Sequence, residues 1–288
     1  MTSTAVLIPT GITDEWRARA REYVAQWYAT NFPSAPVVFG ECAPGSEWSK
    51  GEAIAAALAQ TSADVLVLAD ADSFLLDPAD LGLAIRLVEL GERPWAVPHS
   101  QVYRLRDAET ARLHANPTAK PRLGHLARAM YFGPLGGGIT VVSRAAFELV
   151  GGIDPRFLGW GGEDVAFGWA LETLAPGGER LDGRLVHLWH PHPAPDLRGS
   201  PASEDLVAEY RQARMVTRRM LAAIAGHPQI PADHLAEPVR FRMTANRRQI
   251  RLPSGRSIPF TSGSYETTDP DEVEQLRRYD ILREERRR

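Results

Sequence analysis

Cysteine is almost absent from this 288-residue chain. Cys42 stands alone, so neither an intrachain disulfide nor a multi-cysteine zinc site can form. Lysine is nearly as scarce: of 33 basic residues only Lys50 and Lys120 are lysines, and the rest are arginine. Such an Ala, Arg, Gly and Pro bias reflects a GC-rich coding sequence rather than a physical demand. Long apolar runs are missing too. Those within Asp64–Ala69 and Ile139–Val142 are strand-length, far below the ~20 residues of a spanning helix. Met1–Val6 has neither a basic segment nor a long apolar one, so no signal peptide is expected and the predicted location is cytoplasmic. Strong net charge is also lacking, at -3 with 44% hydrophobic residues, which excludes wholesale disorder. A chain this long buries roughly three quarters of its unfolded surface and needs no covalent or metal staple. Length alone allows about two domains, or one α/β domain with an extension.

What is present alternates between strand and helix signals. Ala5–Ile8 predicts a buried strand ending at Pro9-Thr10-Gly11, and Asp14–Tyr28 places Trp16, Ala20, Tyr23, Val24 and Trp27 at helical spacing. Val37–Phe39 is a second strand, Ser49–Gln60 a helix, and Asp64–Ala69 a third strand. This alternation predicts a mostly parallel, doubly wound sheet with its ligand site at the strand C-terminal ends. Ala79–Leu90 is helical and Trp95–Val97 strand-like, whereas Tyr103–Met130 carries few signals. Further on come a strand at Ile139–Val142, helices at Arg144–Val150 and Glu163–Leu174, and a strand at Arg184–Trp189. Proline-rich Pro191–Pro201 marks a boundary, so 1–197 is expected to be one domain and 198–288 an extension. In the extension Ser203 is the expected N-cap of one helix running to about Ala225. Arg240–Arg256 then holds six arginines and no carboxylate, a hairpin is expected around Pro253-Ser254-Gly255, and a helix at Asp269–Tyr279.

Four motifs carry chemistry. Asp70-Ala71-Asp72 follows the apolar strand directly, and carboxylates at i and i+2 on extended backbone point the same way. Paired hard oxygens there suit magnesium or manganese bridging a diphosphate. Gly159-Trp160-Gly161-Gly162-Glu163-Asp164 opens a helix, where unpaired backbone amides gather. Complementing the helix dipole, worth ~0.3–1 kcal/mol, accounts for the two acids but not for the Trp-Gly-Gly before them. Gly136-Gly137-Gly138 precedes a strand, which fits either close approach of a substrate to the backbone or a flexible loop. In His187-Leu188-Trp189-His190, strand alternation puts His187 and Trp189 on one face and Leu188 and His190 on the other. Only one of those faces is expected to serve a given site.

Together these motifs resemble the GT-A-fold glycosyltransferases, in the branch of the β-1,4-galactosyltransferases, polypeptide N-acetylgalactosaminyltransferases and chondroitin-polymerase-like enzymes. The shared order is Pro9-Thr10, Asp70-Ala71-Asp72, Gly137-Gly138-Ile139, Gly151-Gly152-Ile153-Asp154, Trp160 to Asp164, then a late histidine. It covers roughly residues 4–193. The resemblance implies a GT-A (Rossmann-like) α/β fold with a C-terminal helix and hairpin appendage. It also implies a metal-dependent enzyme moving a sugar from a nucleotide-sugar donor, UDP-linked by family, to a glycan or protein hydroxyl. Asp70 and Asp72 would hold Mn2+ or Mg2+ and the donor's ribose and diphosphate, with His187, or else His190, completing the metal shell. Pro9, Thr10, Lys50 and Ala71 would lie along the donor, and Gly137, Gly138, Trp160, Gly161 and Gly162 along the acceptor. Glu163 and Asp164 would meet the reaction centre. Where the galactosyltransferase-like members carry this Asp it is the base and the reaction inverts, which assigns inversion and the base to Asp164. The asparagine often found after the Lys-Gly pair is here Ala55, a departure from the pattern.

Residues from Ile250 onward are weakly similar to tail segments of actinobacteriophage-encoded proteins, which would make the acceptor a virion protein or an envelope glycan. Docking or oligomerisation through this hairpin and helix is the plainer expectation. Nucleic-acid binding is not expected, because the net charge is -3 and the arginine run is poor in interleaved aromatics. Two other functions compete: a non-catalytic carbohydrate-binding or virion module on the same fold, and a sugar-1-phosphate nucleotidyltransferase. The latter needs a Gly-rich basic phosphate loop after strand one, and Pro9-Thr10-Gly11-Ile12-Thr13 is not that.

Overall fold

In the computed structural model the described residues are 2–11, 14–123, 127–130, 137–191, 201–225, 239–244, 249–252, 256–267, 269–279 and 281–285. The chain begins β1 (Thr4–Thr10), α1 (Glu15–Asn31), β2 (Val37–Glu41), α2 (Lys50–Leu58) and β3 (Val65–Ala69). Asp14 caps α1 by accepting from the Arg17 amide, and Ser49 caps α2 by accepting from that of Glu52. Then follow β4 (Ser73–Leu75), α3 (Pro78–Glu89), β5 (Trp95–Val97), β6 (Gln101–Arg104), α4 (Asp107–Ala115) and β7 (Ala127–Met130). The stretch with few sequence signals therefore holds two strands and a helix. β8 (Ile139–Ser143), α5 (Arg144–Leu149), α6 (Glu163–Leu174), β9 (Glu179–Arg180) and β10 (Arg184–His187) complete this part.

The main sheet runs β2-β1-β3-β8-β5-β9. β1 pairs in parallel with β2 and β3, and β5 with β9, while β8 runs against both of its neighbours. β3 is buried on both faces, as a central strand between two helical layers must be. Leu66 and Leu68 join Ala5, Leu7, α2 and α6 on one side. Val65, Val67 and Ala69 join Val6, Ile8, α1 and α3 on the other. A second sheet, β4-β10-β6-β7, sets the chain just after Asp72 antiparallel to β10, with Ser73 opposite His187. Among the described residues no helix is long and apolar enough to cross a membrane.

The single helix expected from Ser203 is two, α7 (Pro201–Ala213) and α8 (Thr217–Ile224). Ser203 is buried inside α7 rather than capping it. The break falls where Met215 takes a φ of +63° and its amide donates to Thr173 Oγ1 at 3.0 Å, a tertiary contact invisible in helical periodicity. Leu206, Tyr210, Met220, Leu221 and Ile224 belong to the same core as α6 and Phe157. Buried Asp154 ties the two parts together: it accepts from Tyr210 Oη at 2.9 Å and from Arg156 Nη2 at 2.6 Å, and Arg156 also donates to the Ala223 carbonyl. The expected division at 197/198 thus runs between helices that share one core, and we propose the boundary after α8 instead. Beyond it lie β11 (Val239–Met243), β12 (Gln249–Arg251), β13 (Ser257–Pro259), β14 (Ser264–Thr267), α9 (Pro270–Arg277) and β15 (Leu282–Glu285). β12 and β13 form the expected hairpin, whose tip at 253–255 lies outside the described residues. Phe241, Ile258, Phe260 and Leu276 give this part a core of its own.

Candidate functional site

β3 ends at Ala69, and the chain turns through Asp70, Ala71 and Asp72 before β4. That turn breaks the extended alternation, so the two carboxylates do not share surroundings. Asp70 Oδ2 accepts from the Gly138 amide at 2.8 Å, and its Oδ1 meets Lys50 Nζ at 2.6 Å. Asp72 turns the other way, its Oδ1 accepting from Ser73 Oγ and its backbone carbonyl from the Leu188 amide.

β10 carries His187 to Asp72, Nε2 to Oδ1 at 3.7 Å, and then stops being a strand. Leu188 is fully buried, and the Trp189 amide donates to Thr110 Oγ1 while its ring meets Trp16 edge-on. The chain swings round, and His190 Nε2 also reaches Asp72, 3.1 Å from Oδ2. The expectation that only one histidine serves the site is therefore corrected: strand alternation does not extend past His187. Asp72, His187 and His190 place one ligand atom each within 4.8 Å of one another. Asp70, expected in that shell, lies outside it and faces Lys50.

The second half of the site is built on α6. Gly162, with a φ of +99°, forms its N-cap, and the Gly161 amide donates to Glu163 Oε2 at 3.1 Å. Asp164 Oδ1 accepts from Lys50 Nζ at 2.8 Å, so one ammonium joins the Asp70 turn to the start of α6. A Cβ on Gly137 would stand 3.1 Å from Asp164 Oδ2, and one on Gly138 would strike Leu185 Cδ2 at 2.4 Å. These two positions therefore need glycine, with φ of +96° and +77°. Gly136 lies outside the described residues. Trp160 lies parallel to His190, ring centroids 6.2 Å apart. Pro9 and Thr10 are buried at the end of β1, where Thr10 Oγ1 donates towards the Gly40 carbonyl and Glu41. Ala71 packs against the core beneath β3.

Electrostatics follow burial. Desolvation pushes Glu163 up to about 7, helped by Asp164 and opposed by Lys50. It raises Asp70 as well, although Lys50 pulls the other way. Burial would lower Lys50, yet Asp164, Asp70 and Glu163 hold it well above the ordinary lysine value. Burial would likewise raise Asp72, but His187, His190 and Ser73 keep it well below the usual carboxylate range. Burial would lower His190, but the hydrogen bond and charge of Asp72, together with the Pro191 carbonyl, raise it overall.

Two residues that sequence reasoning passed over lie against this site. Arg17 of α1 reaches His190 and Trp160; its place in an amphipathic helix offered no signal. His99, buried after β5, stands 3.3 Å from the Cβ position of Gly138 and is lowered to about 3 by burial and Arg180.

Residues 128–191 match the family described as the N-terminal domain of galactosyltransferase. That segment is galactosyltransferase-like. It contains Gly137, Gly138, the Trp160–Asp164 block and both histidines, and it bears out the resemblance read from the motifs. No curated protein matches the chain. Among solved structures, a mutant Drosophila β1,4-galactosyltransferase 7 in complex with manganese, UDP-Gal and xylobiose is 18% identical with a TM-score of 0.39. That likeness spans 62% of this chain and 65% of that one, just under two thirds of its length. The catalytic domain of the same enzyme with xylobiose is 13% identical over 96% and 98% of the two chains, TM-score 0.45. Glucosyl-3-phosphoglycerate synthase from Mycobacterium tuberculosis, with Mn2+ and UDP-glucose, is 12% identical over 95% and 91%, TM-score 0.44. At such identities and TM-scores these are distant likenesses.

One carboxylate and two imidazoles form a nitrogen and oxygen set that fits a divalent cation such as manganese, and three protein ligands leave coordination positions open.

Proposed function

We propose that this protein is a metal-dependent glycosyltransferase that moves a sugar from a nucleotide-sugar donor, UDP-linked, to a hydroxyl of a glycan or protein, with inversion. The observation that carries this reading is the Lys50 ammonium lying 2.6 Å from Asp70 and 2.8 Å from Asp164. It joins the Asp-Ala-Asp turn and the Trp-Gly-Gly-Glu-Asp block into one site, beside a ready divalent-cation set.

Each part then has a role. Asp72, His187 and His190 hold the cation, which when bound supplies Lewis-acid neutralisation of the departing diphosphate. Asp70 and Lys50 line the donor between that set and α6. Asp164 takes the acceptor proton: Lys50 fixes its Oδ1, and its Oδ2 faces Gly137, where glycine leaves room for an incoming hydroxyl. Glu163, raised to about 7, keeps a large protonated fraction near neutral pH and in that form offers a hydrogen bond to the acceptor sugar. Trp160 supplies an aromatic face for a sugar ring.

A thermal-shift screen of nucleotide sugars with and without manganese identifies the donor. With that donor, Asp164→Asn is expected to keep donor binding and to lose transfer by at least about a hundredfold; near-normal turnover overturns the base assignment. Manganese-dependent donor hydrolysis that vanishes in Asp72→Ala supports an enzyme. No metal-dependent hydrolysis or transfer with any donor favours a carbohydrate-binding module on the same fold.

A further inference from the structure

Arg17 sits in the first turn of α1, far in sequence from Asp72, His187 and His190, yet its guanidinium reaches that set. Nη2 lies 3.0 Å from His190 Nδ1, and Cζ lies 4.3 Å from the centre of the Trp160 ring. Nε is held 3.3 Å from Asp14, and the side chain is only 13% exposed. One largely enclosed cation therefore touches both a histidine of that set and the tryptophan that precedes α6.

The contact restricts what His190 can do. A guanidinium only donates, so this hydrogen bond forms only in the tautomer whose Nδ1 accepts and whose ring proton stands on Nε2, 3.1 Å from Asp72. A metal ion needs the Nε2 lone pair. His190 offers it when the proton stands on Nδ1, where the Pro191 carbonyl, 2.9 Å away, accepts it. Arg17 must then let go. An incoming divalent ion also sets positive charge beside a guanidinium that is poorly solvated.

We propose that Arg17 is the resident countercation of this site: it opposes a bare divalent ion and yields when the ion arrives with an anionic diphosphate. Metal and nucleotide then bind as a pair, each raising the affinity for the other by the same factor. The released guanidinium keeps the Trp160 face as a support and turns its N–H groups to phosphate oxygens. The inference rests on the metal site of the proposed function.

Calorimetric titration of Mn2+ into the full chain, with and without saturating UDP, tests it on wild type, Arg17→Gln and Arg17→Met. The methionine keeps an apolar stem against Trp160, and melting curves identify any variant that does not fold. Loss of the guanidinium is expected to tighten Mn2+ alone by about tenfold and to weaken Mn2+ when UDP is present. A merely structural arginine would weaken both. Wild type that takes Mn2+ while the folded variants follow it, or weaken in both titrations, overturns the role of Arg17 and leaves the metal site standing. Wild type that takes no Mn2+ with or without UDP overturns the metal site, and this inference with it.

Discussion

Glu163 and Asp164 are adjacent in sequence, yet their surroundings differ. Glu163 is buried at the start of α6, and desolvation with a neighbouring Asp164 raises it to about 7, whereas Asp164 lies against Lys50. A carboxyl raised on folding binds its proton more tightly in the folded chain. Its contribution to stability is therefore present below the unfolded value of about 4.5 and is lost as pH rises through about 7. Glu163→Gln removes that dependence. Its melting temperature should rise relative to wild type between about pH 5 and about pH 8; parallel curves would show that burial does not hold the proton. Both acids were legible in the sequence as helix-opening carboxylates. The difference in their surroundings was not, because it depends on burial and on Lys50, which arrives from another helix.

At the scale of elements, the site is a set of turns held in place by strands. The mutual hydrogen bonds of Asp70 and Gly138, each donating its amide to the other residue, clamp the end of β3 to the start of β8. Gly138→Ala would drive a Cβ to 2.4 Å from Leu185 at a φ that L residues rarely adopt. A loss of about 1–3 kcal/mol in denaturant unfolding is expected, together with weaker donor binding as Asp70 is displaced. Full stability would mean that the β3–β8 junction gives way freely. β3 itself was plain in the sequence, since a fully apolar run bounded by turn residues allows little else. The end of β10 was not plain: apolar residues continue through Trp189, whereas the strand ends at His187, after which buried Leu188 donates its amide to the Asp72 carbonyl and Trp189 its amide to Thr110.

Across the whole molecule, composition and chain packing disagree about where the first folded unit ends. Proline-rich sequence after Pro191 suggests a boundary, but Asp154, Arg156 and Tyr210 bind α7 and α8 into the core of α6. A chain ending at 225 is expected to melt cooperatively and to retain metal-dependent donor binding. A chain ending at 197 should not fold, because it loses Leu206, Tyr210, Met220, Leu221 and Ile224 from that core. The reverse result, a stable product ending at 197, would restore the earlier boundary. Tyr210→Phe, which leaves Asp154 with Arg156 alone, is expected to cost about 1 kcal/mol in denaturant unfolding.

The sequence by itself determined the α/β alternation and the buried central strand, because these are written in local periodicity; the carboxylates and histidines of the candidate site were legible only through the family that their motifs resemble. Tertiary structure alone decided that both histidines meet Asp72, that Asp70 belongs with Lys50 and Asp164, and that Arg17 stands over Trp160. The reason is physical: each of those pairs is separated by many residues, and direction at a turn depends on what the next element packs against rather than on the turn's own residues.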